Sequence, residues 1–215
     1  NHAWTHTVNT RDGFDLFQLT LADGGYVYDG AVLPFEQREV ELRVNQFDGS
    51  YRQETFTAYE SVHGPVLVTR GDGTALALRV VGENSILAAQ QWWQMGRATN
   101  LEEFEEALRL LYIPMFTIMY ADRDGNILHV FNEQVPIRDG GDWAFWNNTN
   151  RLDSTPPALI PGDDSRYLWT EYHPYEDLPR MLNPESGWLQ NANEPPWTTT
   201  LPLALDPGAY PAYML

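Results

Sequence analysis

The sequence predicts a β-rich α+β fold, and three observations carry that prediction. Over residues 1–81 strand-like runs, alternating apolar and polar at Glu39–Val44 and Tyr51–Tyr59, are separated by turns marked Asp23-Gly24-Gly25, Asp29-Gly30, Asp48-Gly49 and Gly71-Asp72-Gly73. Such alternation is the signature of strands with one wet face. Residues 84–111 then switch to helical spacing, and residues 115–131 return to apolar runs on either side of Asp122-Arg123-Asp124-Gly125-Asn126, a hairpin signal.

In chain order, Trp4–Val8 is a run of aromatic and β-branched residues that reads as a buried strand. Phe14–Leu21 continues as strand, with Phe14, Leu16 and Leu19 as anchors, followed by Tyr26–Tyr28, Glu39–Val44, Tyr51–Tyr59 and Ala75–Val81. His63-Gly64-Pro65 interrupts the alternation. Ser85 is the expected N-cap of a helix over Ile86–Met95 that presents Trp92 and Trp93 near its end. Asn100 with Glu103 forms a capping-box pattern for a second helix carrying Leu101, Phe104, Leu108 and Leu111, which Pro114 ends. Residues 138–184 have the composition of long loops. Residues 185–215 are expected to open with an apolar return strand, Glu185–Asn193, before a Pro-rich stretch.

Composition narrows the function. With 13 Lys+Arg against 30 Asp+Glu, the net charge is −17. Nucleic acids and anionic membranes need a basic face, so neither is an expected partner. No apolar run approaches the roughly 18 residues of a membrane span. Cysteine is absent, which excludes disulfides, zinc thiolates and thiol nucleophiles. Eight Trp and eleven Tyr suit a large β core or an apolar ligand pocket.

Several residue groups could carry chemistry. His2 and His6 have the spacing of a helical metal pair, but on a strand they lie roughly 13 Å apart and cannot share an ion. His63, His129 and His173 stand alone and read as structural histidines satisfied by neighbours. Gly-rich phosphate loops and a Gly-x-Ser-x-Gly elbow are absent from the sequence, and Ser61 and His63 are too close on one strand to act as nucleophile and base. Asp12 and Asp15, with the Phe14 carbonyl between them, offer the hard oxygens Ca²⁺ prefers, although their spacing alone better describes a solvated turn with a capping Asp. Asn191 and Asn193 flank Ala192, and on a strand their amides share one face. Such amides either cap a neighbouring loop or supply the donor of an oxyanion hole.

Five segments taken together resemble one family. They are Ala3-Trp4-Thr5-His6-Thr7-Val8, Ser61-Val62-His63-Gly64-Pro65-Val66, Gln90-Gln91-Trp92, Ala121-Asp122-x-x-Gly125-Asn126, and Pro184-Glu185-Ser186-Gly187-Trp188 running into Asn191-Ala192-Asn193. Their order and spacing are similar to those of the penicillin acylases, a family that includes quorum-quenching N-acyl homoserine lactone acylases. The resemblance implies part of an αββα N-terminal-nucleophile hydrolase fold, incomplete here, with an inserted β-meander and two helices. It implies cleavage of an N-acyl group from a small-molecule amide, such as a β-lactam antibiotic or an acyl homoserine lactone. A Ser at the start of the β chain attacks, its own α-amino group acts as base, and one backbone N–H and one Asn side chain hold the oxyanion.

Carried onto this chain, the resemblance makes the Val8 N–H the first oxyanion donor and the Asn193 side chain the second. It places Thr7, Trp92 and Met115 in the acyl pocket. Met115 stands where some long-chain acylases carry Trp, which leaves the preferred chain length open. Asp12, the Phe14 carbonyl, Asp15, the Pro136 carbonyl and Asp206 match a structural Ca²⁺ site, and no organic cofactor is implied. The expected partners are the acylase α chain, the remainder of the β chain and a small N-acyl substrate, in the periplasm or outside the cell. Because Asn1 stands first and cannot be the nucleophile, the chain is expected to be an internal β-chain fragment, inactive alone. The competing reading is a non-catalytic β-rich ligand- or carbohydrate-binding module, favoured by the aromatic content and the acidic charge.

Overall fold

A computed structural model describes residues 2–9, 13–83, 86–138, 141, 159–211 and 214. Its strands in chain order are β1 (His2–Thr7), β2 (Phe14–Ala22), β3 (Gly25–Tyr28), β4 (Ala31–Pro34), β5 (Glu36–Asn45), β6 (Tyr51–Ser61), β7 (Gly64–Thr69), β8 (Thr74–Val80), β9 (Met115–Asp122), β10 (Ile127–Glu133), β11 (Ile160–Pro161) and β12 (Arg180–Leu182). Two helices, α1 (Ala88–Arg97) and α2 (Leu101–Leu108), stand between β8 and β9. The chain divides into two units, Asn1–Gly13 with Val81–Arg138 and Trp169–Leu215, and Phe14–Val80 with Asp139–Leu168.

The first unit is built on an antiparallel sheet ordered β1-β9-β10-β12. Strand β1 runs against β9 from His2 opposite Asp122 to Thr7 opposite Thr117. Asp122 closes the β9–β10 hairpin by accepting from the N–H groups of Asp124 and Asn126 at 3.0 and 2.9 Å and from the Asn126 amide at 2.9 Å. The turn therefore satisfies its own backbone. Ile118, Tyr120, Leu128 and Val130 from the sheet are buried with Met95 and Phe104 from the helices. Burying a side chain the size of Phe104 contributes about 1.5–3 kcal/mol.

Helix α1 begins at Ala88 rather than Ile86, with Leu87 at the N-cap and no side-chain cap. The expected cap, Ser85, lies outside the described residues. Helix α2 has the anticipated cap, Asn100 accepting from the Glu103 N–H at 2.9 Å. The Glu103 carboxylate reaches one residue further back, to the Thr99 N–H at 2.7 Å. The helix stops at Leu108, before the expected Leu111, whose φ of +48° is left-handed and incompatible with a continuing helix.

The second unit is an antiparallel sheet ordered β4-β3-β2-β8-β7-β6-β5, with β11 added parallel to β2. Strand β2 buries Asp15, Phe17 and Leu19 on one face. Phe14, expected as an anchor, falls on the other side of the alternation and is exposed. The Gly162 N–H donates to the Gln18 carbonyl at 2.8 Å and the Asp29 N–H to the Asp163 carbonyl at 2.8 Å, which ties the segment after β11 to the meander.

Three sequence expectations change. Strand β1 is half-buried with alternating exposure, not buried, and Val8 lies beyond its end. Glu185–Asn193 is turn and irregular chain rather than a return strand. The strand that extends the sheet past β10 is instead β12, from the segment read as long loop, with Leu128 opposite Leu182. His63 and His129 are buried as structural histidines should be, but neither ring has a hydrogen-bond partner on either nitrogen among the described residues.

Candidate active site at the end of β1

The β1–β9 ladder ends at Thr7, so the next N–H, that of Val8, is released from the sheet. It donates to Asn193 Oδ1 at 2.9 Å. A backbone N–H faces that atom, so the carboxamide oxygen is the only assignment that avoids opposing two donors. Val8 is 51% exposed and Asn193 is exposed as well, so the hydrogen-bonded pair stands at a solvent-accessible surface.

Each of the two is held from behind. Asn9, buried directly after Val8, donates through Nδ2 to the Asn132 carbonyl at 3.0 Å and to Glu133 Oε2 at 3.3 Å, and accepts from the Thr117 hydroxyl at 2.7 Å. These bonds clamp the chain after β1 to both β9 and β10. Asn191 Oδ1 accepts from the Thr7 hydroxyl and from the Asn193 N–H, the latter at 3.0 Å. The Asn191 amide in turn donates to the Glu194 carbonyl at 3.0 Å, and the Ala192 N–H donates to Glu194 Oε2 at 2.7 Å. Asn193 adopts φ +70°, a left-handed conformation that Asn tolerates better than most side chains. The two asparagines meet through a side-chain-closed turn, not through a shared strand face. Asn191 orients Asn193 rather than duplicating it.

Helix α1 supplies the neighbouring wall. Its Trp92 indole N–H donates to His6 Nε2 at 2.8 Å, and the Gln91 carboxamide oxygen accepts from the Ile113 N–H at 2.8 Å. His2, on the same face of β1, has Nε2 3.2 Å from the Met95 carbonyl. The two histidines dismissed as metal ligands are therefore the residues that seat α1 on β1. Burial pushes the His6 imidazole below its ordinary pKa, against a smaller opposing effect of the Thr117 backbone. Met115 opens β9 and is 37% exposed. Its neighbour Phe116 has φ +151°, a value non-glycine residues rarely adopt. Sequence reasoning assigns no supporting role to Asn9 or His6, and it pairs Asn191 with Asn193 as a possible loop cap or oxyanion donor rather than as the residue that orients it. Only the density of Asn, Thr and His around the Val8 and Asn193 motifs signals them.

The residues matched to a calcium site are placed as follows. Asp12 lies outside the described residues. Phe14 and Asp15 open β2, with Asp15 2% exposed. Pro136 forms an isolated bridge with Tyr172. Asp206 is exposed and accepts from the Gly208 N–H at 2.9 Å, capping its own turn. Among the described residues no group of three or more His, Cys, Asp and Glu could hold a metal ion. Hard oxygen donors of this kind suit Ca²⁺ chemically.

The penicillin amidase family model matches residues 1–214. The chain belongs to the penicillin amidase family. An acyl-homoserine lactone acylase of Pseudomonas savastanoi pv. phaseolicola, PvdQ, is 28% identical over 212 residues, which is 91% of this chain and 27% of that protein. Penicillin G acylase of Escherichia coli is 28% identical over 201 residues, 90% of this chain and 21% of that protein. The chain thus spans about a quarter of the length of these relatives. The thermostable penicillin G acylase of Alcaligenes faecalis has the same fold over 96% of this chain and 36% of its own, with a TM-score of 0.72 at 23% identity. The β-rich fold with two helices is that of one part of a penicillin acylase. No described helix is long and apolar enough to cross a membrane.

Proposed function

We propose that this chain supplies the oxyanion donors and part of the acyl pocket of an amide hydrolase that removes an acyl group from an N-acyl compound. The observation that carries the reading is the meeting of the Val8 N–H and the Asn193 carboxamide. At rest the two satisfy each other. A developing oxyanion takes the place of Asn193 Oδ1 as acceptor for the Val8 N–H, and rotation of the carboxamide turns its Nδ2 towards the same oxygen. Donors aimed at charge that appears only in the transition state lower its energy without stabilising the ground state.

The nucleophile belongs, on this reading, to an N-terminal Ser in family segments outside these 215 residues. Its oxygen bonds to the acyl carbon and the C–N bond breaks. The proton passes through the Ser α-amino group to the leaving amine, and water then releases the acid. Thr7, Trp92 and Met115 hold the acyl chain. Acyl homoserine lactones and β-lactams with an acyl side chain are the substrate classes, by analogy with the relatives. The family match over residues 1–214 favours this hydrolase over a β-rich binding module.

The test is incubation of the complete protein with N-acyl homoserine lactones and penicillin G, followed by mass spectrometry of the protein. Release of free amine together with an acyl adduct on a processed N-terminal Ser supports the reading. Intact substrates throughout would sink it.

A structural Ca²⁺ held by the Asp15 carboxylate, the Phe14 carbonyl and Asp12 is a separate proposal, supported by the hard-oxygen donor set. Calorimetric titration of the complete protein checks it, and Asp12→Ala with unaltered binding refutes it.

A further inference from the structure

The indole N–H is a donor only, so a partly buried Trp must find an acceptor to hold one rotamer. Trp92 finds it in His6 Nε2, at 2.8 Å. That bond requires a lone pair on Nε2, so the proton of the neutral ring sits on Nδ1. The imidazole is itself fixed by three rings. Trp4 lies edge-on at 5.0 Å, Phe116 tilted at 5.3 Å and Trp92 edge-on at 6.1 Å between centroids. The end of β1 and the residue after it thus place, in consecutive positions, a residue that grips the pocket tryptophan (His6), a pocket residue (Thr7) and, just beyond the strand, an oxyanion donor (Val8). Trp92 remains 38% exposed, so a large apolar surface is presented in a single orientation.

We propose that His6 is a positioning residue that sets acyl-chain selectivity by locking the Trp92 indole through Nε2. This inference rests on the acylase reading above. A wall that cannot rotate accepts acyl groups of one length and excludes others, because each methylene in or out of a fitted apolar pocket changes kcat/KM by roughly 10-fold or more. Removing the acceptor frees the indole to turn, and the pocket then admits chains the fixed wall excluded. Gln at this position presents an acceptor oxygen and restores the lock. Phe in place of Trp92 keeps a ring but has no N–H to hold.

The experiment compares the complete wild-type protein with His6→Ala, His6→Gln and Trp92→Phe on N-acyl substrates of graded chain length and one common amine. The indole N–H resonance of Trp92 is followed in parallel by NMR. His6→Ala and Trp92→Phe are expected to narrow the ratio of kcat/KM between best and worst chain lengths by about 10-fold, mainly through KM, and His6→Gln to recover most of it. The Trp92 N–H should exchange slowly in wild type and rapidly in His6→Ala. If His6→Ala does not fold, Trp92→Phe decides the matter alone. A wild type that hydrolyses the panel while Trp92→Phe keeps its length profile overturns the role of His6 and leaves the acylase reading standing. A wild type that hydrolyses none of the panel removes both.

Discussion

Val8 and Asn193 lie 185 residues apart in sequence and meet through a 2.9 Å hydrogen bond from the Val8 N–H to Asn193 Oδ1. The bond exists because β1 stops pairing with β9 one residue too early to use that N–H, while Asn191 closes a turn that delivers Asn193 to the same point. Two unrelated local structures therefore converge on one acceptor position. Loss of either should be felt at the other.

Replacing Asn193 separates side chain from backbone. Asn193→Gly keeps access to φ +70° and removes only the carboxamide. Asn193→Ala also places an alanine in left-handed backbone, at about 1–2 kcal/mol of strain. Both should lower kcat for an N-acyl substrate by about 10²–10³, the loss typical of one oxyanion donor. Ala should in addition lower thermal stability while Gly does so less. Steady-state kinetics and a melting curve on both variants check the pair. Undiminished kcat in Asn193→Gly would remove the side chain from the oxyanion site.

Acid should weaken the fold through its buried histidines. Burial lowers the pKa of His63 to about 4, with a smaller contribution from the Arg79 charge. Burial likewise lowers that of His129 to about 4. Because the folded values lie below the unfolded 6.5, the unfolded chain binds protons first. The stabilisation is complete above the unfolded value and is lost as pH falls through it towards 4. Each histidine is expected to cost about 3 kcal/mol across that window. His63 lies 4.5 Å from the Phe17 ring and 5.6 Å from that of Tyr28, so Phe fits its surroundings. His63→Phe should flatten the acid limb of urea-denaturation free energy measured between pH 7 and 4. An unchanged slope would show that His63 titrates normally.

Much of this fold is legible in the sequence where local chemistry decides it. The hairpin of β9 and β10 follows from Asp122 and Gly125, and α2 from Asn100 and Glu103. Where tertiary pairing decides, sequence reasoning goes astray. Strand β12 is three residues long and exists because β10 offers it an edge. Trp188–Asn193 has an apolar texture but pairs with no strand among the described residues, and Asn191 bends it into a turn. The Val8 donor is a backbone N–H and has no residue signature, so only family resemblance points to it. Asn9 and His6 act through partners more than eighty residues away, as the separation of 86 between His6 and Trp92 shows, and Asn191 joins its local turn to Thr7, 184 residues away. Nothing local announces such pairings.

Gly25 should be irreplaceable on steric grounds. It sits in β3 opposite Pro34, and a Cβ there would lie 2.1 Å from the Leu33 carbonyl oxygen. Backbone cannot yield as a flexible side chain does, so Gly25→Ala should cost about 1–3 kcal/mol. That corresponds to a fall in Tm of roughly 3–10 °C for a chain of this size. Gly24→Ala is the control, since its Cβ meets open space and only the φ of +78° opposes it. Calorimetric melting should rank Gly25→Ala clearly below Gly24→Ala. The reverse order would mean that β3 and β4 can separate at little cost.

The N-terminus of α2 offers a last, purely local test. Asn100 accepts from the Glu103 N–H, and Glu103 accepts from the Thr99 N–H at 2.7 Å and from its hydroxyl at 2.9 Å. Hydrogen bonds from Thr99 hold the Glu103 carboxyl below the usual carboxylate range. The helix is eight residues long, too short to persist without its cap and its buried face. Asn100→Ala should cost about 1 kcal/mol, and Asn100→Asp, which keeps an acceptor and adds charge at the positive end of the helix, only a few tenths. Phe104 and Leu108 depend on this turn for their place in the core, so the loss should appear as a lower urea midpoint with an unchanged slope. Equal midpoints for Asn100→Ala and wild type would show that packing alone holds α2.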